Sequence, residues 1–106
     1  MDKGELTRTV NSVVIALCAD YFRRAHIMSK GTASRRVDTE YRYYNFKMFD
    51  GAAEVVGEEL AEVYIREIGE RRGYANSAVP EICEVSYKRI KKAVKEAIAR
   101  KLYLIE

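Results

Sequence analysis

With 106 residues, 48% hydrophobic and 33% charged, the chain has the length of one domain, 1–106, and the make-up of a folded globular protein rather than a disordered one. Its net charge of +3 is small but unevenly spread. Residues 50–70 hold Asp50, Glu54, Glu58, Glu59, Glu62, Glu67 and Glu70 against Arg66 alone, while the C-terminal third and the group Arg23, Arg24, Lys30, Arg35 and Arg36 are basic. Such asymmetry points to a nucleic-acid contact on one face and to solvent or a basic partner on another.

A single proline, abundant Glu, Lys, Arg and Ala, and no alternating Val/Thr/Ile runs predict an all-α fold. The expected architecture is a small bundle of about four helices ending in a helix-turn-helix-like basic helix. Cys18 and Cys83 sit among apolar residues and read as buried thiols of an intracellular protein, not as a disulfide framework. No stretch reads as a signal peptide, and the longest apolar run, Val13 to Ala19, is too short to span a bilayer. The expected location is the cytoplasm, with no membrane partner.

Residues 1–5 read as a frayed start, and 6–28 as a long core helix. Leu6, Val10, Val13, Leu17 and Arg24 or Met28 follow one line, widened by Val14, Cys18, Tyr21, Phe22 and Ala25. So broad a face exceeds what one neighbouring helix covers, which makes this the central helix or, alternatively, a dimer seam. Ser29 to Val37 reads as a polar linker carrying Arg35 and Arg36. Asp38 or Thr39 is then placed to cap a second helix over 39–56, with Tyr41, Tyr44, Met48, Ala52 and Val55 or Val56 in line and Gly51 to the side. Tyr43 and Phe46 point off that line, towards the first helix or, as the alternative, towards stacked bases.

Gly57 is a natural stop. A third helix is expected over 58–72, with Leu60, Ala61, Tyr64 and Ile68 inward and its acids outward. Glu58 and Glu59 suit its positive end, Arg71 and Arg72 suit its negative end, and Gly73 is the expected C-terminal cap. Residues 79–84 form at most a short helical turn, with Pro80 suited to a first helical position.

The last helix is the most informative stretch. Ser86 is placed as its N-cap, with Val85 and Ile90 as a hydrophobic staple. At about 100° per residue, Ile90, Val94, Ala97, Ile98 and Ile105 fall on one side, flanked by Tyr87 and Ala93. Lys88, Lys91, Lys92 and Lys95 gather opposite, within an arc of about 100°. Glu96 lies off the stripe and can pair with Arg100 at i,i+4. A solvated face usually mixes signs, and this one does not, which favours an anionic partner over mere solubility.

Catalysis finds little support. His26 is the only histidine, two separated cysteines cannot close a zinc site, and no Gly-rich phosphate loop, HExxH or GxSxG is present. The sequence reads as a non-enzyme and calls for no cofactor or metal.

The constellation with better support is structural: the helix 58–72, the turn at Gly73, and the basic end 79–102 with its short helical piece 79–84 and Ser86-capped helix 86–102 read as a helix-turn-helix whose last helix meets DNA. Its expected contact set is Ser86, Tyr87, Lys88, Arg89, Lys91, Lys92 and Lys95, joined by Arg35 and Arg36. Arg89 would meet a guanine edge and the lysines would neutralise phosphates. The run Glu81-Ile82-Cys83-Glu84-Val85-Ser86-Tyr87-Lys88-Arg89-Ile90-Lys91-Lys92-Ala93, with Ala97-Ile98-Ala99-Arg100-Lys101-Leu102, resembles the DNA-reading end of sigma-factor region four. It is especially similar to the phage and prophage late-gene regulators of the ArpU/RinA type, over about the last third of the chain. The resemblance implies a small, cytoplasmic, helical transcription regulator of a phage or mobile element, with double-stranded DNA as its partner and RNA polymerase or another host protein nearby. The chain departs from that pattern in having Ile82 and Ser86 only four apart. This weighs against groove insertion more than against phosphate binding. The alternatives are a small helical protein-interaction module or inhibitor aimed at nucleic-acid machinery, its 50–70 acids imitating DNA, and a helical homodimer whose charges only keep it soluble.

Overall fold

Four helical rods make up the computed structural model, which describes residues 6–31, 33–79 and 82–105, and no strand occurs among them. The expected all-α bundle is the fold. The frayed start expected at 1–5 lies outside the described residues. Helix α1, Arg8–Ser29, opens on Thr7, whose hydroxyl accepts from the Val10 N–H at 3.1 Å and so satisfies one of the free donors of the first turn. Its buried line is Val14, Cys18, Tyr21 and Arg24. Val14, Cys18 and Tyr21, expected only to widen the face, are therefore its centre together with Arg24 of the expected line, and Val13, also expected on that line, is exposed.

The second rod starts earlier than the sequence suggested. Ser34, not Asp38 or Thr39, caps α2, Arg35–Glu40, by accepting from the Val37 N–H at 3.3 Å. Thr39 instead donates to the Arg35 carbonyl, and Asp38 pairs with Arg42. Arg35 and Arg36 thus belong to a helix rather than a linker. The rod passes through a π-helical turn, Tyr41–Asn45, into α3, Phe46–Val56.

A π turn adds a residue to the helical register and is often found where a side chain must be re-aimed. Here it carries Asn45 into the interior. Asn45 Oδ1 accepts from Arg24 Nε at 2.8 Å, and its Nδ2 donates to the Tyr21 carbonyl at 3.0 Å. The remaining donors of the buried Arg24 reach Asp20 Oδ2 and the Leu17 carbonyl. A buried guanidinium is tolerable only when satisfied in this way, and the network locks α1 to the second rod.

Gly57, at φ 85°, breaks the chain between α3 and α4, Glu58–Gly69. The core is one cluster: Val14, Cys18 and Tyr21 from α1, Met48 and Ala52 from α3, Ala61, Tyr64, Ile65 and Ile68 from α4, and Tyr87, Val94, Ile98, Ala99 and Leu102 from the last helix and its end. Two glycines set its closest approaches. A Cβ on Gly51 would lie 3.0 Å from the Ala97 carbonyl oxygen, so this glycine faces the last helix rather than lying to the side. Gly69 meets the backbone of α1 more closely still.

Helix α4 ends before Arg71, not at Arg72. Arg71 is left-handed at φ 54°, and the Arg72 N–H returns to the Glu67 carbonyl at 2.9 Å, closing the helix in a Schellman-type turn. Gly73 lies beyond this cap. Glu67, expected outward, is fully buried: it accepts from the Tyr87 hydroxyl at 2.9 Å and from the Ala78 N–H at 3.2 Å. This carboxylate ties the connection to the last helix. A single 3-10 turn, Tyr74–Asn76, is the only helical piece described there. Val79, Ile82 and Cys83 are not helical, and Pro80 and Glu81 lie outside the described residues. Among the described residues no separate helical piece stands between the 3-10 turn and the last helix.

Helix α5, Glu84–Lys101, begins one turn earlier than expected. Cys83 occupies the cap position, and Ser86 lies inside the helix, its oxygen accepting from the Cys83 thiol at 3.2 Å. Val85 is exposed and staples nothing, and Cys83 is exposed rather than buried. Glu96 and Arg100 make no ion pair among the described residues, while Lys101 pairs with Glu54 at 2.6 Å. No helix among the described residues is long and apolar enough to cross a membrane.

Candidate nucleic-acid interface

The register of α5 decides which of its cations are free. Tyr87, Val94, Ala97, Ile98 and Ala99 are buried, and α5 presses mainly on α3, with α1 and α4 against its other flank. The lysine arc straddles that second flank. Lys88 and Lys92 project into solvent, whereas Lys91 and Lys95 are half-buried along the edge of the core. The stripe is thus a flank rather than the far side of the helix.

Each expected contact has a definite place. Tyr87 is a core residue, its hydroxyl spent on Glu67, and Ser86 is half-buried. Lys88 pairs with Glu84 at 2.8 Å, an exposed i,i+4 pair that binds weakly and leaves its charge partly neutralised. Arg89 and Lys92 are exposed and pair with no acid among the described residues. Arg36 pairs with Glu40 at 3.2 Å, and α2 makes no contact with α5. Arg35 and Arg36 therefore stand on a separate element that does not touch α5.

Lys91 and Lys95 meet a cation that the sequence did not single out. Together with Arg71, Ile15 and Ile68 they line a cleft of about 160 Å³. The Lys91 ammonium donates to the Arg72 carbonyl at 2.7 Å and lies 5.2 Å from the centre of the Tyr87 ring, which fixes its position. Burial, then the nearby Lys95 charge, hold the Lys91 pKa below its ordinary value, while Glu67 pulls the other way. Burial also lowers that of Lys95, with Cys18 opposing and Lys92 adding to the shift. No acid among the described residues forms an ion pair with Arg71, Lys91 or Lys95.

Arg71 earned no place in the expected contact set because it reads as the end of a helix, where a positive side chain suits the dipole. Its left-handed backbone costs about 1 kcal/mol more than glycine would there. No local residue preference announces it, since glycine is the usual mark of that position and the next glycine, Gly73, stands two residues on.

Four of the seven acids of 50–70 are engaged within the fold. Glu54 pairs with Lys101, Glu62 accepts from the Tyr21 hydroxyl at 2.8 Å, Glu67 is buried, and Glu70 accepts from Arg72 and Arg66. A second exposed feature lies on the α3 side. Lys47 sits 5.3 Å from the ring centres of both Tyr43 and Tyr103, with the exposed Phe46 next to it in sequence. Tyr43 and Phe46 are therefore exposed at the surface.

No family model, curated protein or solved structure matches the chain.

Proposed function

We propose that the protein is a small DNA-binding regulator that holds double-stranded DNA through the basic flank of α5, and that it serves a phage or mobile element as the ArpU/RinA-type resemblance implies. The observation that carries the reading is the set Arg71, Lys91, Lys92 and Lys95. These four cations gather at one edge of the molecule without an ion pair among the described residues, while Glu54, Glu62, Glu67 and Glu70 are taken by partners elsewhere in the fold. Uncompensated positive charge of this kind binds the phosphate backbone, releases condensed counterions and supplies affinity without sequence preference.

Backbone contact suits this chain better than deep groove insertion. Ser86 and Tyr87, which would lead a recognition helix into a groove, are turned into the fold, and Lys88, Arg89, Lys92 and Arg100 are the α5 cations left projecting. Arg89 is the side chain available to a base edge.

The test is a salt titration of binding to random-sequence duplex DNA by fluorescence anisotropy. Micromolar binding is expected, with a log–log slope of about −0.9 per phosphate contacted. Lys92→Ala combined with Lys95→Ala should flatten the slope and weaken binding alike on all sequences. No binding at low salt would overturn the reading.

One observation favours a second reading, a protein-interaction module. Tyr103 is 80% exposed and Phe46 54% exposed, around Lys47. Exposed aromatics of this kind are enriched at protein interfaces. Loss of a pulled-down partner on Phe46→Ala with Tyr103→Ala, with DNA binding absent, is the pattern that reading expects.

A further inference from the structure

We propose that the cleft between Arg71, Lys91 and Lys95 is a seat for one phosphate group, and that in the working complex this is a backbone phosphate of nucleic acid. The second half rests on the DNA-binding reading above; oxyanion binding itself does not.

The geometry supplies three cations from two elements around one depression: Arg71 from the end of α4, Lys91 and Lys95 from successive turns of α5. The walls contributed by Ile15 and Ile68 are apolar. They leave the ammonium groups less solvent to interact with, and an arriving anion would meet a field less screened than on the open surface. Among the described residues no carboxylate lines the site. Glu67, the nearest acid to act on Lys91, is committed to Tyr87, Ala78 and Arg72. The depressed lysine pKa values are what unpaired, crowded ammonium groups show, and a bound dianion would reverse them.

The division of labour follows from donor chemistry. Lys91 spends one of its three N–H donors on the Arg72 carbonyl, which leaves two and holds them in place. Lys95 adds a second point charge. Arg71 brings a planar fork suited to two oxygens of one phosphate. Its left-handed backbone is the independent sign. At a helix end where glycine is the least costly residue, the chain carries the side chain best suited to an oxyanion.

That strain also makes the proposal separable from stability. Arg71→Gly removes the guanidinium and relaxes the backbone, so the variant should fold at least as well as the parent. Inorganic phosphate is titrated at low ionic strength, with chloride as control, and lysine and arginine side-chain NMR signals are followed. Saturable shifts confined to Arg71, Lys91 and Lys95 are expected, with affinity falling at least about tenfold in Arg71→Gly and in Lys95→Gln. In the duplex-DNA salt titration, Arg71→Gly should reduce the slope by about 0.9, the loss of one phosphate contact. Phosphate shifts spread over all lysines alike, or unchanged affinity in Arg71→Gly, overturn the seat even if duplex DNA binds. Saturable phosphate binding with no duplex binding overturns the nucleic-acid assignment and leaves the oxyanion seat standing.

Discussion

Replacing Gly69 by alanine tests the closest contact in the fold. A Cβ there would lie 2.7 Å from the Ala19 nitrogen, 2.7 Å from the Cys18 carbonyl carbon and 2.8 Å from the Ala19 Cα. All three atoms are backbone of α1 and cannot rotate aside. Ordinary contact begins near 3.4 Å, so α1 and α4 must part by the difference, about 0.7 Å, which forfeits roughly a quarter to a half of the attraction between facing atoms. Inserting a methyl into such a contact costs about 1–3 kcal/mol. Alanine returns up to about 1 kcal/mol of helix propensity, and less at the last residue of a helix. The expected net loss is about 1–2 kcal/mol, which lowers Tm by about 4–8 °C for each kcal/mol in a domain near this size. Thermal and urea unfolding by circular dichroism measure it. Gly73→Ala is the control: its Cβ meets nothing within 4 Å and its φ is −91°, so it should be neutral or stabilise by up to about 1 kcal/mol. A Gly69→Ala protein as stable as the parent would show that α1 and α4 do not meet backbone to backbone.

Asn45→Ala strips Arg24 Nε and the Tyr21 carbonyl of their partners and should cost about 2–3 kcal/mol in urea unfolding; a loss below about 0.5 kcal/mol would mean water reaches the network. Val94→Asp, at a site with no exposure, should abolish the cooperative unfolding transition by burying an unpaired charge, and a folded variant would refute the register of α5. Burial holds the Cys18 thiol up at about 12 against an ordinary 9.0. The folded chain then keeps a proton that the unfolded chain releases, so this contribution is full below pH 9 and is lost as pH rises towards 12, about 1.4 kcal/mol of it by pH 10. Tyr87, raised to about 12, adds to the loss at higher pH, and Lys91 and Lys95, with lowered values, act in the opposite direction. Comparing Cys18→Ala with the parent isolates the thiol: the variant should lose less stability between pH 9 and 10, and parallel curves would refute a desolvated thiol.

The helices were legible because their signals are local. Apolar spacing places α1, the second rod, α4 and α5 in order, and Gly57 marks a break where the backbone needs a positive φ. The errors share a cause: where more than one residue could do a job, tertiary contacts chose among them. Ser34, Asp38 and Thr39 are all competent caps, and the choice of Ser34 frees Asp38 for Arg42. Ser86 is a better cap than Cys83 by side-chain chemistry. Yet the Tyr87 hydroxyl must reach the buried Glu67, and the turn of helix preceding Tyr87 holds Ser86 within it. The π turn was illegible for the same reason. Periodicity runs through Tyr41, Tyr44 and Met48 without it, and only the demand of a buried Arg24 for Asn45 explains the added residue.

The basic face was half legible. A helical wheel groups Lys88, Lys91, Lys92 and Lys95 correctly but treats them as equals, because it contains no neighbouring helix. Once α1 and α4 are in place the four divide into an outer pair, Lys88 and Lys92, and a recessed pair, Lys91 and Lys95, that meets Arg71. The two pairs have different physics. Outer lysines act through solvent, over about 8–10 Å at physiological salt, and suit steering a polyanion to the surface. Recessed ones act at contact distance and suit fixing one oxyanion in position. A stripe that looks uniform in sequence thus becomes, in the fold, an exposed pair and a recessed pair. The recessed pair meets Arg71, a residue 20 positions upstream of Lys91 that no periodicity could have joined to it.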